Sequence, residues 1–193
     1  MIEIIKYDAN KHETQWDSFV LESNNGTIFH TRKFLNYHQE RIFEDCSFIF
    51  KNKSKIEAVF SGAIINEILH SHPGSSFGGF VFNSLSFEFG KKIVELLIDF
   101  ANKNSLKEVV VIPTPFIYYD NYNEVMEYCL YMKGFNTIEY YISSFVDLKA
   151  NLLNQMHDRK RRYIKKMQDK IKIKIIDDLD SFYPILINNK LKH

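Results

Sequence analysis

The feature that most constrains the fold is a strand–helix–strand pattern in the middle of the chain. The stretch 86–104 predicts a helix, because Ser86 can cap its start and apolar residues recur at helical spacing. These apolar residues are Phe89, Ile93, Leu96, Leu97 and Phe100. The runs 77–82 and 109–112 on either side have the composition of strands. Since a crossover of this kind joins parallel strands, we expect the two strands to be parallel neighbours in an α/β domain.

Antiparallel strands are predicted before this unit, and further helices and strands after it. The runs 47–50 and 56–65 are rich in Phe, Val and Ile around a polar break, which indicates a β-hairpin. Other strands are predicted at 2–6, 68–71, 138–146 and 171–176. Other helices are predicted at 10–23, 31–37, 121–133 and 152–170 and from 180 onward. This order predicts a mixed α/β sheet.

Composition narrows the class of protein further. The two cysteines are far apart and the histidines show no metal-ligand spacing, so we expect neither a disulfide framework nor a metal site. No apolar run is long enough for a membrane span, and the start of the chain lacks the order of a signal peptide. A cytoplasmic protein is therefore expected. Charge is uneven, with nine Lys/Arg against two acidic residues between 158 and 176.

Three motifs carry a resemblance to a known superfamily. Residues 131–135, Tyr-Met-Lys-Gly-Phe, are similar to the Y-x-x-x-G-F pattern of the GNAT (N-acetyltransferase) superfamily. Residues 70–79, His-Ser-His-Pro-Gly-Ser-Ser-Phe-Gly-Gly, resemble the substrate-side loop of Fem-like acyltransferases. Residues 159–166 resemble the basic stretch where those proteins enter a second GNAT domain. The chain thus looks like the N-terminal domain of a FemAB-type acyltransferase.

The resemblance implies a GNAT-like acyl-CoA N-acyltransferase fold over 1–150, followed at 151–193 by a basic helix and the start of an incomplete second half. It also implies transfer of an acyl or aminoacyl group to an amine, with acyl-CoA or aminoacyl-tRNA as donor. A small-molecule or peptide acceptor, related to peptidoglycan, is implied, with tRNA as another partner.

One departure from the family pattern bears on the donor. The superfamily's glycine-rich loop binds the pyrophosphate of acetyl-CoA at a helix N-terminus. Here the corresponding residues 83–88 contain no glycine and include Glu88, which would repel a pyrophosphate. We therefore expect no bound cofactor in this half.

The loop around His72 is the first candidate for substrate binding. Its glycines allow unusual backbone geometry, and His72, Ser75 and Ser76 offer hydrogen-bonding groups. A histidine can also act as a general base, so His72 is the weak candidate for a catalytic residue. The alternative is a plain turn between two strands.

Tyr118 and Tyr119 are the second candidate, since they follow a buried parallel strand and ligands gather at the carboxyl ends of such strands. Packing of the loop onto the core is the alternative. The third candidate is the basic cluster Arg159, Arg161 and Arg162, which would bind a phosphate group of the substrate or else form a solvated helix face.

Three functions are open at this point. The first is an N-acyltransferase, in which this half forms the acceptor site. The second is a non-catalytic, degenerate GNAT-fold module that binds a peptide or nucleotide-sugar. The third is nucleic-acid binding through residues 159–174, which the net acidic remainder of the chain disfavours.

Overall fold

The computed structural model of the protein describes residues 2–37, 44–142, 144–146, 148, 152–172, 174–175 and 179–192. The chain divides into two units, Met1–Ile138 and Glu139–His193. The predicted boundary at 150 lies further along the chain, because it assigned the run 138–146 to the first sheet. The functional division into two domains stays a prediction.

The first unit contains all the strands found in the described residues. They are β1 (Ile2–Lys6), β2 (Glu44–Asp45), β3 (Phe48–Asn52), β4 (Lys55–Ile65), β5 (Ile68–Ser71), β6 (Gly79–Phe82) and β7 (Glu108–Val110). Its helices are α1 (Ala9–Leu21), α2 (Arg32–Leu35), α3 (Phe87–Lys103) and α4 (Val125–Met132), with 3-10 turns at Ile28–His30 and Phe116–Tyr118. The predicted mixed α/β class is confirmed, and so are the early hairpin and the caps Thr31 and Ser86.

The sheet is organised around the long strand β4. One edge of β4 pairs with β3 and β2, and the other pairs antiparallel with β5 at residues 62–65 and with β6 at residues 58–61. Strands β5 and β6 therefore lie end to end beside β4, and the loop 72–78 leaves the sheet between them. The His72 loop therefore lies beside the middle of β4, at the point where β5 ends and β6 begins.

The partner predicted for the crossover strand is wrong. Strand β7 pairs in parallel with β5, not with β6. Because β5 and β6 both run antiparallel to β4, the directions of β6 and β7 agree as expected. The segments next to them meet where the N–H of Gly78, just before β6, donates to the carbonyl oxygen of Ile112, just after β7, at 3.0 Å. Beyond that point another segment occupies the edge of β6, as described below.

Packing of the first unit forms three layers. Phenylalanines of the central strands, Phe48, Phe50, Phe60, Phe80 and Phe82, pack on one face of the sheet with α3 and α4. The intervening residues Ile49, Val59 and Val81 point to the other face, where they pack with Trp16 and Val20 of α1. Alternation along each strand thus supplies both faces, and each fully buried Phe or Leu contributes about 2 kcal/mol to stability.

The second unit contains three helices among its described residues: α5 (Leu152–Gln155), α6 (Asp158–Met167) and α7 (Tyr183–Lys190). The single helix predicted at 152–170 is interrupted before His157, which caps α6. The strands predicted at 138–146 and 171–176 are wrong for their described residues, which form no strand. Ser143, Ile173 and Ile176 lie outside the described residues. Strand propensity takes effect only where a partner strand and a buried face exist, and these residues are exposed.

Helix α4 begins four residues later than predicted at 121, because the 3-10 turn Phe116–Tyr118 and an extended segment come first. It ends as expected before Gly134, whose φ is +87°. Within the described part of the chain, no helix combines the length and apolar character that a membrane span requires.

Candidate functional site

The His72 loop and the Tyr118 segment lie together at the carboxyl ends of two parallel strands. Strand β5 leads into His72, and its parallel neighbour β7 leads through Ile112 towards Tyr118. Ile112 N–H donates to Ser71 Oγ at 2.8 Å, which holds the two exits side by side. The two predicted clusters are neighbours because β7 pairs with β5. Ligands of open α/β sheets bind at this end of the strands.

Phe77 joins the two clusters through its ring. The ring centroid of Phe77 lies 5.4 Å from that of Tyr118 and 4.9 Å from that of Phe29. Phe29 in turn lies 4.9 Å from Phe34, and Phe34 lies 6.5 Å from Tyr37. We call these five residues, Phe29, Phe34, Tyr37, Phe77 and Tyr118, the aromatic row. Its ends are open to solvent, with Tyr37 70% and Tyr118 50% exposed.

The polar groups predicted in the loop have different surroundings. His72 is buried, and its Nδ1 lies 3.1 Å from the carbonyl oxygen of Pro73. Half-buried Ser75 donates through Oγ to the carbonyl oxygen of Phe29 at 3.2 Å, which ties the loop to the aromatic row. Ser76 is exposed. Ser76 is therefore the loop hydroxyl best placed to meet a ligand, while His72 and Ser75 shape the loop.

Tyr119 points away from the aromatic row. Its hydroxyl donates to Glu127 Oε1 at 3.2 Å, and its ring lies 6.1 Å from that of Phe82. Burial and the nearby carboxylate raise the pKa of Tyr119, and burial raises the pKa of Glu127. Tyr119 thus makes the contacts expected of the alternative, a packing role, and its role in substrate binding stays a prediction.

The edge of β6 that faces away from β4 is completed by two consecutive asparagines. Asn25 Nδ2 donates to the Phe80 carbonyl oxygen, and Phe82 N–H donates to Asn25 Oδ1, each at 2.9 Å. Asn24 N–H donates to the Phe82 carbonyl oxygen at 3.0 Å, and the Asn24 side chain bonds on its other side to the backbone of Asn121. The Asn24–Asn25 segment thus fills the opening between β6 and the chain that follows β7.

His30 extends this filling with a buried, neutral imidazole. Its Nδ1 accepts from Thr27 N–H at 3.1 Å, so Nε2 carries the proton and faces Thr114 Oγ1 at 3.3 Å. The ring also interacts with the backbone of Gly78, at the root of the His72 loop. Burial lowers the pKa of His30 to about 4. His30 is therefore a structural link between the 24–30 segment and the candidate site.

Arg32 is a buried cation near the start of the sheet. Its guanidinium carbon lies 3.4 Å from the ring centroid of Tyr7 and 3.8 Å from that of Trp16. Arg32 Nη1 donates to Asp45 Oδ2 at 2.7 Å, and burial lowers the pKa of the arginine. Arg32 Nε and Nη2 have no hydrogen-bond partner in the described part of the chain. The stacked guanidinium holds α2 against α1 and β1.

The basic cluster lies on α6 in the second unit. Arg159 and Arg162 are exposed, while Arg161 forms an ion pair with Asp158 at 2.6 Å. The opposite side of the helix carries Tyr163, Ile164 and Met167. Both alternatives for the basic cluster, phosphate binding and a solvated helix face, stay open.

Within the described ranges, no group of three or more His, Cys, Asp or Glu side chains is arranged to hold a metal ion. Comparison of the chain with protein-family models and with curated proteins gives no match. The resemblance to Fem-like enzymes therefore rests on the sequence motifs alone.

Sequence reasoning missed several residues that build the site. Asn24 and Asn25 signalled only the end of a helix, and His30 and Phe29 gave no signal of their own. Phe77 was counted as part of a strand, although it leaves the sheet to pack on Tyr118. The available hint was the pair Gly78 and Gly79, which is unusual inside a strand and marks the point where the loop rejoins the sheet.

Proposed function

We propose that the chain is the acceptor-binding part of an N-acyltransferase, with the aromatic row and the His72 loop holding an amine-bearing peptide or sugar. The observation that supports this proposal most is the contact between Phe77 and Tyr118, which unites the two predicted substrate-binding clusters. Both clusters are also at the carboxyl ends of parallel strands. The acyl transfer itself rests on the resemblance to Fem-like enzymes.

The chemistry of the surface suits such an acceptor. Exposed aromatic rings stack on the apolar faces of sugars and on peptide side chains, and they attract a cationic amine. The hydroxyls of Ser76 and Tyr118 can orient polar groups of the bound molecule. This surface does not need a general base of its own if the rest of the active site supplies one.

Binding is tested by titrating 15N-labelled protein with two probes, UDP-glucosamine and a short peptide with a free lysine amine. We expect amide shift changes in the loop 72–78 and around Tyr118 for one of the probes. Tyr118→Ala should weaken binding about tenfold, since stacking on one ring contributes roughly 1–1.5 kcal/mol. The matched control is Tyr131→Ala. Tyr131 is also an exposed tyrosine but lies on α4, so its substitution should leave the affinity unchanged. Equal loss in both variants, or shift changes elsewhere, would contradict the proposal.

The second candidate function is a non-catalytic module with the same binding surface. It is favoured by the filled opening beside β6, where Asn24 and Asn25 take up the hydrogen-bonding groups of the strand edge. A donor such as acyl-CoA could not use those groups without displacing the segment. The residues 83–88 add a second obstacle, because Glu88 stands in the first turn of α3.

The two functions are separated by measuring acetyl-CoA binding and acyl transfer. We expect no heat of binding for acetyl-CoA in calorimetry, and Glu88→Gln should not restore it because the segment 24–30 still fills the opening. Aminoacyl-tRNA remains the donor to test for transfer to the peptide probe. Transfer supports the enzyme, while probe binding without transfer supports the non-catalytic module. Low-micromolar binding of acetyl-CoA would show that the donor site was misplaced.

A further inference from the structure

The second unit presents both positive charge and apolar side chains to solvent. No described residue between 139 and 192 is buried. Nine Lys/Arg stand against two acidic residues between 158 and 176, and on α6 only Arg161 forms an ion pair among the described residues. Large apolar side chains are exposed beside them, among them Leu153 at 47%, Tyr163 at 60%, Ile164 at 40%, Met167 at 38% and Ile171 at 55%.

Helix α6 sorts these residues onto two faces. Arg159, Arg162, Lys165 and Lys166 occupy one side of the helix, and Tyr163, Ile164 and Met167 occupy the other. Lys160 falls beside the apolar residues, where a long aliphatic stem can lie along an apolar surface while its ammonium group stays in water. A partner that matches both faces carries negative charges directly beside an apolar region.

We propose that α6 binds the surface of an anionic phospholipid bilayer. In this arrangement the helix lies in the plane of the interface, with Ile164 and Met167 entering the acyl boundary and Tyr163 at the headgroup level. The basic face meets the phosphate groups of the lipids, whose negative surface potential attracts each Lys and Arg. This proposal is independent of the proposed acyl transfer, because it uses no residue of the His72 loop or the aromatic row.

The apolar face is the reason to prefer a bilayer to a nucleic acid. Binding to a phosphate backbone needs only the cations, and it would leave Ile164 and Met167 exposed to water. Burying these side chains in the interface adds a favourable term that does not depend on salt. The two partners therefore differ in how they respond to loss of the apolar residues.

The test is co-sedimentation of the full chain with vesicles. We expect the protein to sediment with vesicles of phosphatidylcholine and phosphatidylglycerol in equal parts, and not with phosphatidylcholine alone. The triple substitution Arg162→Gln, Lys165→Gln, Lys166→Gln should weaken this binding at least about tenfold, because three of the cations that meet the lipid phosphates are removed. The matched control removes the same charge from exposed lysines of the first unit, Lys33→Gln, Lys53→Gln, Lys103→Gln, and should change it little.

A second variant separates the possible partners. Ile164→Ser with Met167→Ser keeps every charge and should also weaken vesicle binding at least about tenfold, because two apolar side chains that are partly buried in the interface are lost. The same variants are titrated with unmodified tRNA as the nucleic-acid probe. The proposal is overturned if the protein binds neither vesicle type or if the apolar variant binds vesicles like the wild type. It is also overturned if the protein binds tRNA more tightly than vesicles and only the charge variant weakens tRNA binding.

Discussion

Phe82 donates its backbone N–H to the side-chain oxygen of Asn25 at 2.9 Å, and the side-chain nitrogen of Asn25 donates to the Phe80 carbonyl oxygen. One side chain thus takes the place of a neighbouring strand at the buried edge of β6. A carboxamide suits this position because it offers a donor and an acceptor in one plane, as a peptide group does.

Replacing Asn25 should therefore destabilise the first unit. Asn25→Ala leaves a buried N–H and a buried carbonyl oxygen without partners, at a cost of about 2–4 kcal/mol in the free energy of unfolding. Asn25→Asp keeps the size but turns the donor into an acceptor against the Phe80 oxygen, so it should cost at least as much. The exposed Asn36→Ala is the control and should stay within about 0.5 kcal/mol of the wild type. Urea unfolding followed by Trp16 fluorescence measures all three, and an Asn25 variant as stable as the control would contradict the role.

The buried Arg32 should make Asp45 matter more than its neighbour Glu44. Asp45→Asn leaves the fully buried guanidinium without its counter-charge, and we expect a loss of about 2–3 kcal/mol, reduced from that of a wholly buried pair because the Asp45 side chain is 39% exposed.

Glu44 is in the same strand, β2, as Asp45, and Glu44→Gln removes an exposed ion pair with Lys6 of β1, so it should cost less than about 1 kcal/mol. Chemical unfolding of the two variants compares them directly. Equal effects would mean that the stacking of Arg32 on Tyr7 and Trp16 holds the cation without help from Asp45.

Sequence alone predicts the parts of this fold that local patterns determine. The helix α3, its cap Ser86 and the hairpin of β3 and β4 follow from periodicity and turn residues. The pairing of β7 does not, because it depends on which strand edge the 24–30 segment already occupies, and that segment is far away in sequence. The strands predicted at 138–146 and 171–176 were wrong for a related reason, since strand-like composition does not indicate whether a partner strand is within reach.

The candidate site was predictable to a similar extent. His72, Ser75, Ser76 and Tyr118 were singled out from glycine and aromatic patterns, and the structure brings the loop and Tyr118 together. Phe77 links them only because the chain leaves the sheet between β5 and β6, and no local pattern encodes that excursion. Tyr118 is the last residue of a 3-10 turn and Tyr119 follows it with an extended backbone, so their side chains point in different directions, which sequence cannot give.

Stability should depend on pH through His30. Its pKa is about 4 in the folded protein, below the usual 6.5, because burial disfavours the charged ring. Between these values the unfolded chain binds the proton and the folded chain does not, so stability falls as pH drops from about 6.5 to about 4, by roughly 3 kcal/mol. Protonation of Nδ1 would also oppose the Thr27 N–H that it now accepts.

The variant His30→Gln should lose this part of the pH dependence, whatever its stability at neutral pH. The exposed Asn36 provides the control, since Asn36→Ala removes no titratable group and should keep the same slope as the wild type between pH 6.5 and 4. Urea midpoints and m-values measured across that range give the slopes. If the His30 variant kept the wild-type slope, the dependence would belong to other groups.

Gly79 and Gly134 offer a final comparison, because they share a backbone conformation and differ in their surroundings. Their φ angles are +81° and +87°, so a side chain at either position carries the strain of the left-handed region, about 1 kcal/mol. A Cβ added at Gly79 would lie 2.9 Å from Val111 Cγ1, whereas one added at Gly134 would meet nothing within 4 Å. Gly134→Ala should therefore cost about 1 kcal/mol, and Gly79→Ala about 2–4 kcal/mol.

One contact accounts for the larger free-energy cost of Gly79→Ala compared with Gly134→Ala, and a double-mutant cycle can isolate its contribution. In a Val111→Ala background the clashing methyl is absent, so the cost of Gly79→Ala should fall to that of Gly134→Ala. Chemical unfolding of the four proteins of the cycle gives the coupling free energy. Because Gly79 starts β6 directly after the His72 loop, the double variant should also recover the amide spectrum of that loop, which the single variant should perturb. Costs that stay additive would place the origin of the strain elsewhere in the loop and remove Val111 as the reason for a glycine at this position.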